Sequence, residues 1–375
     1  MKSGIDRILS IIGLDNIIEI LSSEAITWAD LHTLLLHIFE RKIKDVSPAD
    51  IMKNCKESRF SQAAETNPRE LLEIDRILYG LLPSYFLPVE LSPVNAIGVN
   101  STLTSLDPKI VLPTIRNLEV VGDPSMALSI ECAKRRESLR TTKENTETHL
   151  ATSHRVLRVQ AFPKNSGLMA HFRAFALASS ARDVTGFNSF ELSALSTHVE
   201  IWLRFLTFSS DFPYSVQNIS VAISDIRMME KLISYGRIDK NKVIKRTKDK
   251  AFDTFREYSI DLPGQIDYAR DIPILYPELE TYIRELQFTE KKIIDPLRSK
   301  YPNVRFYFDL SRCSGIGYYS GICYTVAAEN LTGKKYSLAG GGACDWTKKL
   351  LQNRREHLIA SGFGTEFFHR LFRLN

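Results

Sequence analysis

Arg158-Val159-Gln160 and His171-Phe172-Arg173-Ala174-Phe175 carry the residue types best suited to hold a polyphosphate. Each guanidinium offers planar, bidentate donors to phosphate oxygens. An aromatic ring beside them can stack on a purine, with help from the cation. Pro163-Lys164-Asn165-Ser166-Gly167 between the two segments is a turn signal, so they read as the arms of a hairpin. Arg158, Arg173 and Phe175 then converge if all three side chains leave one face. The plainer alternative is a hairpin with two salt-bridged arginines and a core phenylalanine.

Three further segments could line a site. Ala339-Gly340-Gly341-Gly342-Ala343 follows a strand pattern and would let backbone approach a ligand, or simply turn. It is no P-loop, because no Gly-Lys-Ser/Thr follows. Ser314-Gly315-Ile316-Gly317-Tyr318-Tyr319-Ser320-Gly321 puts two tyrosines at a strand entry, where they could line a pocket or pack. Gly362-Phe363-Gly364 precedes Arg370, which could meet a terminal phosphate or cap a helix.

These residues need a scaffold, and 375 residues suffice for two domains or one large domain with an appendage. With 44% apolar and 25% charged residues the composition is that of an ordinary globular protein. A formal charge of +5 permits an anionic ligand without arguing for nucleic acid. Five scattered cysteines, none in a C-x-x-C pair, argue against structural zinc and a disulfide framework. Asp6, Arg7, Asp15 and Glu19 interrupt the apolar N-terminus, and no apolar run approaches a membrane span. A cytoplasmic protein without a membrane segment is expected.

The first 85 residues or so read as a helical domain. Thr27-Trp28-Ala29-Asp30, Ser47-Pro48-Ala49-Asp50 and Asn67-Pro68-Arg69-Glu70 are three helix starts. From residue 86 to 375 strands dominate, at 86–91, 110–112, 118–121, 155–162, 172–178, 218–224, 304–310, 321–327 and 335–339. Asp123-Pro124-Ser125 opens a helix expected to reach Arg136, followed by a polar loop at 141–147. A long helix is expected over 189–208, a helical insertion over 225–300 and a helix over 345–358. Lys240–Lys250 is rich in basic residues, as a solvated helix face or an RNA contact. Clustered strands favour an α+β fold on an antiparallel sheet.

The order of these segments resembles the catalytic core of class II aminoacyl-tRNA synthetases, above all histidyl-tRNA synthetase. The resemblance implies that the hairpin is motif 2. Arg158 would then hold the α-phosphate and Arg173 a loop-side phosphate, with Phe175 stacked on adenine. Arg370 would be the motif 3 arginine on the γ-phosphate. Asp123 and Ser125 stand where the family receives the substrate amine, and Tyr318, Tyr319 and Gly341 would line the acceptor pocket. ATP and Mg²⁺ are the implied cofactors. Dimerisation through roughly residues 89–103 is implied as well.

Departures from the family pattern are many. Gln160 replaces the motif 2 glutamate, and Ser314 stands where an arginine is usual, with Arg312 two residues away. Ala343 replaces the arginine of Gly-Gly-Arg-Tyr-Asp. Leu177 and Ala181 stand where the family reads histidine, so that discrimination loses its hydrogen bonds. His369 precedes Arg370 where glutamate is usual, and the chain stops at Asn375, which implies no anticodon-binding domain. Two functions stay open. One is ATP-dependent adenylation of an amino acid or similar small carboxylate, passed to a tRNA or carrier. The other is a non-catalytic relative similar to the regulatory subunit of ATP phosphoribosyltransferase, with the catalytic subunit of that enzyme as partner.

Overall fold

The computed structural model describes residues 4–105, 107–114, 116–142, 146–160, 169–182, 189–208, 213–247 and 252–374, with backbone only at 140–142. The expected turn at 163–167 and the basic residues Lys248 and Lys250 lie outside these.

Helices α1 (Gly4–Ile12), α2 (Ile17–Ser22), α3 (Trp28–Ile43), α4 (Pro48–Glu57) and α5 (Pro68–Leu81) open the chain. The expected caps form. Thr27 Oγ1 accepts from Asp30 N at 3.2 Å while Asp30 accepts from Thr27 N at 3.0 Å, and Ser47 and Asp50 repeat both bonds. Asn67 caps α5, with Pro68 at its first turn. None of the residues of α1–α4 is buried. By contrast, Leu71, Ile74, Ile77 and Leu78 of α5 enter the main core.

Then come β1 (Leu87–Pro88), β2 (Val94–Ala96), α6 (Val99–Leu103), β3 (Pro113–Thr114), β4 (Leu118–Val120), α7 (Pro124–Thr142), β5 (Thr148–Leu157) and β6 (His171–Arg182). The middle of the chain holds α8 (Ser189–Phe208), β7 (Gln217–Asp225), α9 (Ile226–Tyr235), α10 (Lys240–Arg246), α11 (Thr254–Glu257), β8 (Gln265–Ile266), α12 (Glu280–Thr289) and α13 (Asp295–Lys300). The last elements are β9 (Arg305–Asp309), β10 (Ile322–Glu329), β11 (Lys335–Cys344), α14 (Trp346–Leu350), β12 (Glu356–Phe363) and α15 (Thr365–Phe372).

One sheet runs β1-β5-β6-β12-β11-β10-β7-β9-β8, and a small one runs β2-β4-β3. Pairing is antiparallel from β5 through to β7, as expected, but β1 joins β5 and β9 joins β7 in parallel. Helices cover both faces. Met126, Leu128 and Cys132 of α7 pack on Leu150, Ala176, Ala178, Leu358 and Ala360. α5, α8 and α15 pack on the other face, against Ala151, Phe175, Leu177 and Phe363. Side chains alternate along each strand, so neighbours in sequence serve opposite cores.

Several expected elements shift. Residues 108–110 form a single helical turn capped by Asp107, with Pro108 and Pro113 bracketing a segment that makes no strand of its own at 110–112. α7 runs past Arg136 to Thr142, and β5 starts at Thr148 rather than 155. The helix expected over 345–358 ends at Leu350, where Gln352 takes φ +48° and the chain enters β12. Gly340–Gly342 lie within β11, not after it. A Cβ on Gly341 would stand 2.4 Å from Ser361 Cβ and 2.8 Å from the Tyr324 hydroxyl, so glycine there makes room for neighbouring side chains. Cys132, Cys313, Cys323 and Cys344 are buried free thiols, and Cys55 is exposed. In α10 and nearby, Lys240 pairs with Glu230 and Arg246 with Glu257, which suits a solvated face. No described helix is long and apolar enough to cross a membrane.

Candidate functional site

Gly122-Asp123-Pro124-Ser125 delivers a carboxylate to the start of α7. Asp123 Oδ1 accepts from Ser125 N at 2.9 Å and Ser125 Oγ at 2.6 Å. Its Oδ2 accepts from the Tyr318 hydroxyl at 2.8 Å, and that hydroxyl lies 3.0 Å from Ser125 Oγ. Burial, then the Asp123 charge, pushes the Tyr318 phenol well above its ordinary pKa, so it stays a neutral donor. Two glycines aim it. Gly317 has φ +75°, and a Cβ there would stand 2.4 Å from Ser105 Oγ; Gly315 has φ +101° and lies against the Tyr319 ring. Tyr318 meets Trp346 and Tyr319 edge-on, with both centroids 4.9 Å away.

Arg158 joins this cluster from the end of the hairpin. Its Nε donates to Gly122 O at 2.9 Å, and its guanidinium carbon stands 5.4 Å from the Phe172 ring centroid. Arg312 approaches from the other side. Its Nε donates to Ser314 O at 2.9 Å, its guanidinium lies 5.6 Å from the Tyr319 centroid, and its Nη1 is buried without a hydrogen-bond partner. Between them the sheet is floored by small residues. A Cβ on Gly362 would meet nothing nearer than Phe175 O at 3.8 Å, and one on Gly340 would lie 3.6 Å from the Tyr319 hydroxyl. A flat shelf therefore has an acceptor at one edge and guanidiniums at two others.

The remaining expected residues other than Gln160 lie on the opposite face. Phe175 is fully buried, 4.9 Å from Tyr79 of α5 and 6.2 Å from Trp202 of α8 by ring centroids. Arg173 Nε lies 3.1 Å from Asp75 Oδ2 and donates to Ser153 Oγ at 2.8 Å. Burial raises the pKa of Asp75, opposed by Ser153 and then Arg173. Arg370 pairs with Glu65 at 3.5 Å. Gly341 faces Tyr324 and Ser361 on that same side. Gln160 is exposed, and its carbonyl accepts from Arg59.

Register explains the split. Leu157 pairs with His171 and Arg155 with Arg173, so Arg155 shares the Arg173 face and Arg158 takes the other. Arg155 there bonds Glu366 at 2.9 Å. Asp123, Ser125, Tyr318, Tyr319 and Arg158 are thus brought together, and Arg173, Phe175, Gly341 and Arg370 are not. For Arg173 and Phe175 the plainer alternative holds: a salt-bridged arginine and a core phenylalanine. Phe172 is the aromatic beside Arg158, a residue that strand parity within His171–Phe175 could have offered. Among the described residues no group of three or more His, Cys, Asp or Glu is placed to hold a metal.

No family profile and no curated protein sequence matches the chain. Solved structures do match it. An ATP phosphoribosyltransferase regulatory subunit/histidyl-tRNA synthetase from Bacillus halodurans C superposes with TM-score 0.59 at 13% identity, over 84% of this chain and 82% of that one. Histidyl-tRNA synthetase from Nostoc sp. PCC 7120 gives TM-score 0.58 at 16% identity, over 84% and 74%. A histidine–tRNA ligase subunit from Alicyclobacillus acidocaldarius gives 0.56 at 12%, over 82% and 94%. The chain has the α+β fold of the class II synthetase core in its histidyl-tRNA synthetase-like form.

Proposed function

We propose that this chain is a non-catalytic, regulatory relative of the class II core that binds a small zwitterion on its α7 face. The observation that carries the reading is the separation of the arginines. Arg158 lies with Asp123, Ser125 and Tyr318, while Arg173 and Arg370 lie across the sheet, paired with Asp75 and Glu65. In-line attack on a triphosphate needs cations on its successive phosphates at once. The residues present do not fit bent ATP with Mg²⁺. What they do fit is an amine on Asp123 and a carboxylate reaching toward Arg158 or Arg312, with Phe172 beside it.

Calorimetry with a panel of amino acids, with ATP, and with both together tests this, alongside pyrophosphate exchange. Amino-acid binding without ATP binding or exchange is expected. Amino-acid-dependent exchange would instead restore the adenylating reading, with a tRNA or carrier as acceptor. That second reading has one observation in its favour: Arg312, with an unpartnered Nη1, offers a further guanidinium on the α7 face. The regulatory reading also implies a partner enzyme, in keeping with the regulatory-subunit name of the Bacillus structure. Co-purification with a short-form ATP phosphoribosyltransferase catalytic subunit would establish it, in a cytoplasmic setting.

A further inference from the structure

We infer that the N-terminal helices clamp the edge of the shelf: Arg59 and His32 hold backbone on the two sides of the Arg158–Gly122 bond, and Arg59 is a positioning residue for Arg158. The consequence for a ligand rests on the reading of the α7 face above; the clamp itself does not.

Arg158 sits where the sheet runs out. β5 ends at Leu157, which pairs with His171, the first residue of β6. Beyond that pair the arm is held by single backbone bonds. Arg158 N donates to Ala170 O at 2.7 Å, and Val159 N donates to Ile110 O at 2.9 Å. The carbonyls of Val159 and Gln160 both accept from the Arg59 guanidinium, with its Nη1 2.9 Å from Gln160 O. One planar fork thus straddles two successive carbonyls, a fixed geometry that a flexible ammonium would not impose. Arg158 lies between the last ladder pair and this clip.

The same segment ties down the return arm. Arg155 Nη1 lies 2.9 Å from His171 Nδ1, and a guanidinium only donates, so Nδ1 accepts. His171 Nε2 then carries the proton and donates to Gln62 O at 2.6 Å. Arg59 and Gln62, both in the stretch between α4 and α5, therefore fasten both arms of the hairpin.

The other side of the Arg158–Gly122 bond is held from α3. His32 Nε2 accepts from Arg116 N at 3.0 Å and from Asn117 N at 2.9 Å. Both residues take positive φ, +86° and +58°, in the turn between β3 and β4. Left-handed backbone at a non-glycine residue costs free energy, which a fixed acceptor for both amides offsets. That turn leads through β4 to Val121 and Gly122. Val121 O accepts from Leu157 N at 3.1 Å, and Gly122 O accepts from Arg158 Nε at 2.9 Å. The N-terminal domain thus grips backbone on both segments that meet at this edge. None of the residues of α1–α4 is buried, so the grip can loosen while the core stays folded.

Hydrogen exchange on the full chain tests the clamp. The amides to read are those of Leu157, Arg158 and Val159, whose acceptors are Val121, Ala170 and Ile110 rather than Arg59 or His32. Arg59→Ala and His32→Ala are each expected to speed their exchange at least tenfold, with circular dichroism and exchange in β11 and β12 unchanged. Wild-type rates at these three amides in either variant would overturn the proposal. Calorimetry tests the route through Arg158. Arg59→Ala is expected to weaken amino-acid binding at least fivefold, and to weaken it no further in an Arg158→Ala background. Equal weakening in both backgrounds would overturn the positioning role. A wild-type chain that binds no amino acid would sink the reading of the shelf alone, because the exchange rates still judge the clamp.

Discussion

The two faces of the main sheet are built to different ends. On the α5–α8–α15 face the residues interlock. Phe175, Trp202, Phe363 and Phe368 form a chain of ring contacts, Trp202 Nε1 donates to the Tyr324 hydroxyl at 3.0 Å, and His198 sits between Ser179 and Ser361 at 2.9 Å from each. On the α7 face Leu150 and Leu358 pack beneath α7, and only the stretch of floor beside Tyr319 is built of glycine and alanine. A face packed to its full depth has no volume for a ligand. A face left shallow has volume but contributes less to stability. Arg173 on the first face is an ion-pair partner, and so is Arg136 on the second, buried against Glu356 at 3.0 Å, whereas Arg158 donates to the Gly122 carbonyl beside Asp123.

Truncating Phe175 to alanine should cost about 3–5 kcal/mol in chemical denaturation, as full-depth aromatic deletions do. Phe172→Ala should change stability by less than about 1 kcal/mol while weakening whatever occupies the shelf. Equal losses from both would break the contrast.

His198 sharpens it by pH. Burial holds its pKa down at about 3 from an ordinary 6.5, so the folded state binds fewer protons than the unfolded chain below pH 6.5. Stability should therefore fall as pH drops from about 6.5 toward 3, by up to ~1.4 kcal/mol per pH unit from this group. A His198→Asn variant, which keeps a partner for the serines, should flatten that slope in urea melts run at several pH values.

Glycine substitutions separate the faces directly. Gly341→Ala drives a methyl into Ser361 and Tyr324 and should cost about 1–3 kcal/mol. Gly362→Ala adds only an ordinary contact with Phe175 O at 3.8 Å, so its thermal midpoint should barely move while ligand affinity on the shelf drops. Asp75→Asn removes the carboxylate paired with Arg173, which is 29% exposed, so a loss of about 1–2 kcal/mol is expected after solvent screening. Tyr318→Phe should cost only about 1 kcal/mol, because Ser125 and its amide still bond Asp123. Its larger consequence should be in the calorimetric binding of amino acids.

Much of the scaffold was legible in the sequence where the signal is local. Thr27, Ser47 and Asn67 announced their helices through capping chemistry completed within three residues. The long helix over 189–208 formed with those bounds because its apolar residues repeat over five turns. The helix expected over 345–358 failed because Glu356–Phe363 is claimed by β6 and β11, a pairing no local pattern reveals. Gly340–Gly342 announced close approach correctly, but only the neighbours show that side chains of this chain, not a ligand, fill the space beside Gly341.

The sequence by itself determined the chemistry available: which arginines, carboxylates and phenols exist, in what order, and which helices must start where. It also determined the resemblance to the class II core, since order along the chain survives when identity falls. Only the tertiary structure decided which of these groups can act together. Arg158 and Arg173 lie on two strand segments whose register the sequence does not fix, and in a strand a shift of one residue sends a side chain through to the other face. The pairing of Leu157 with His171 fixed that parity, putting Arg158 with Asp123 and Tyr318, and Arg173 with Asp75.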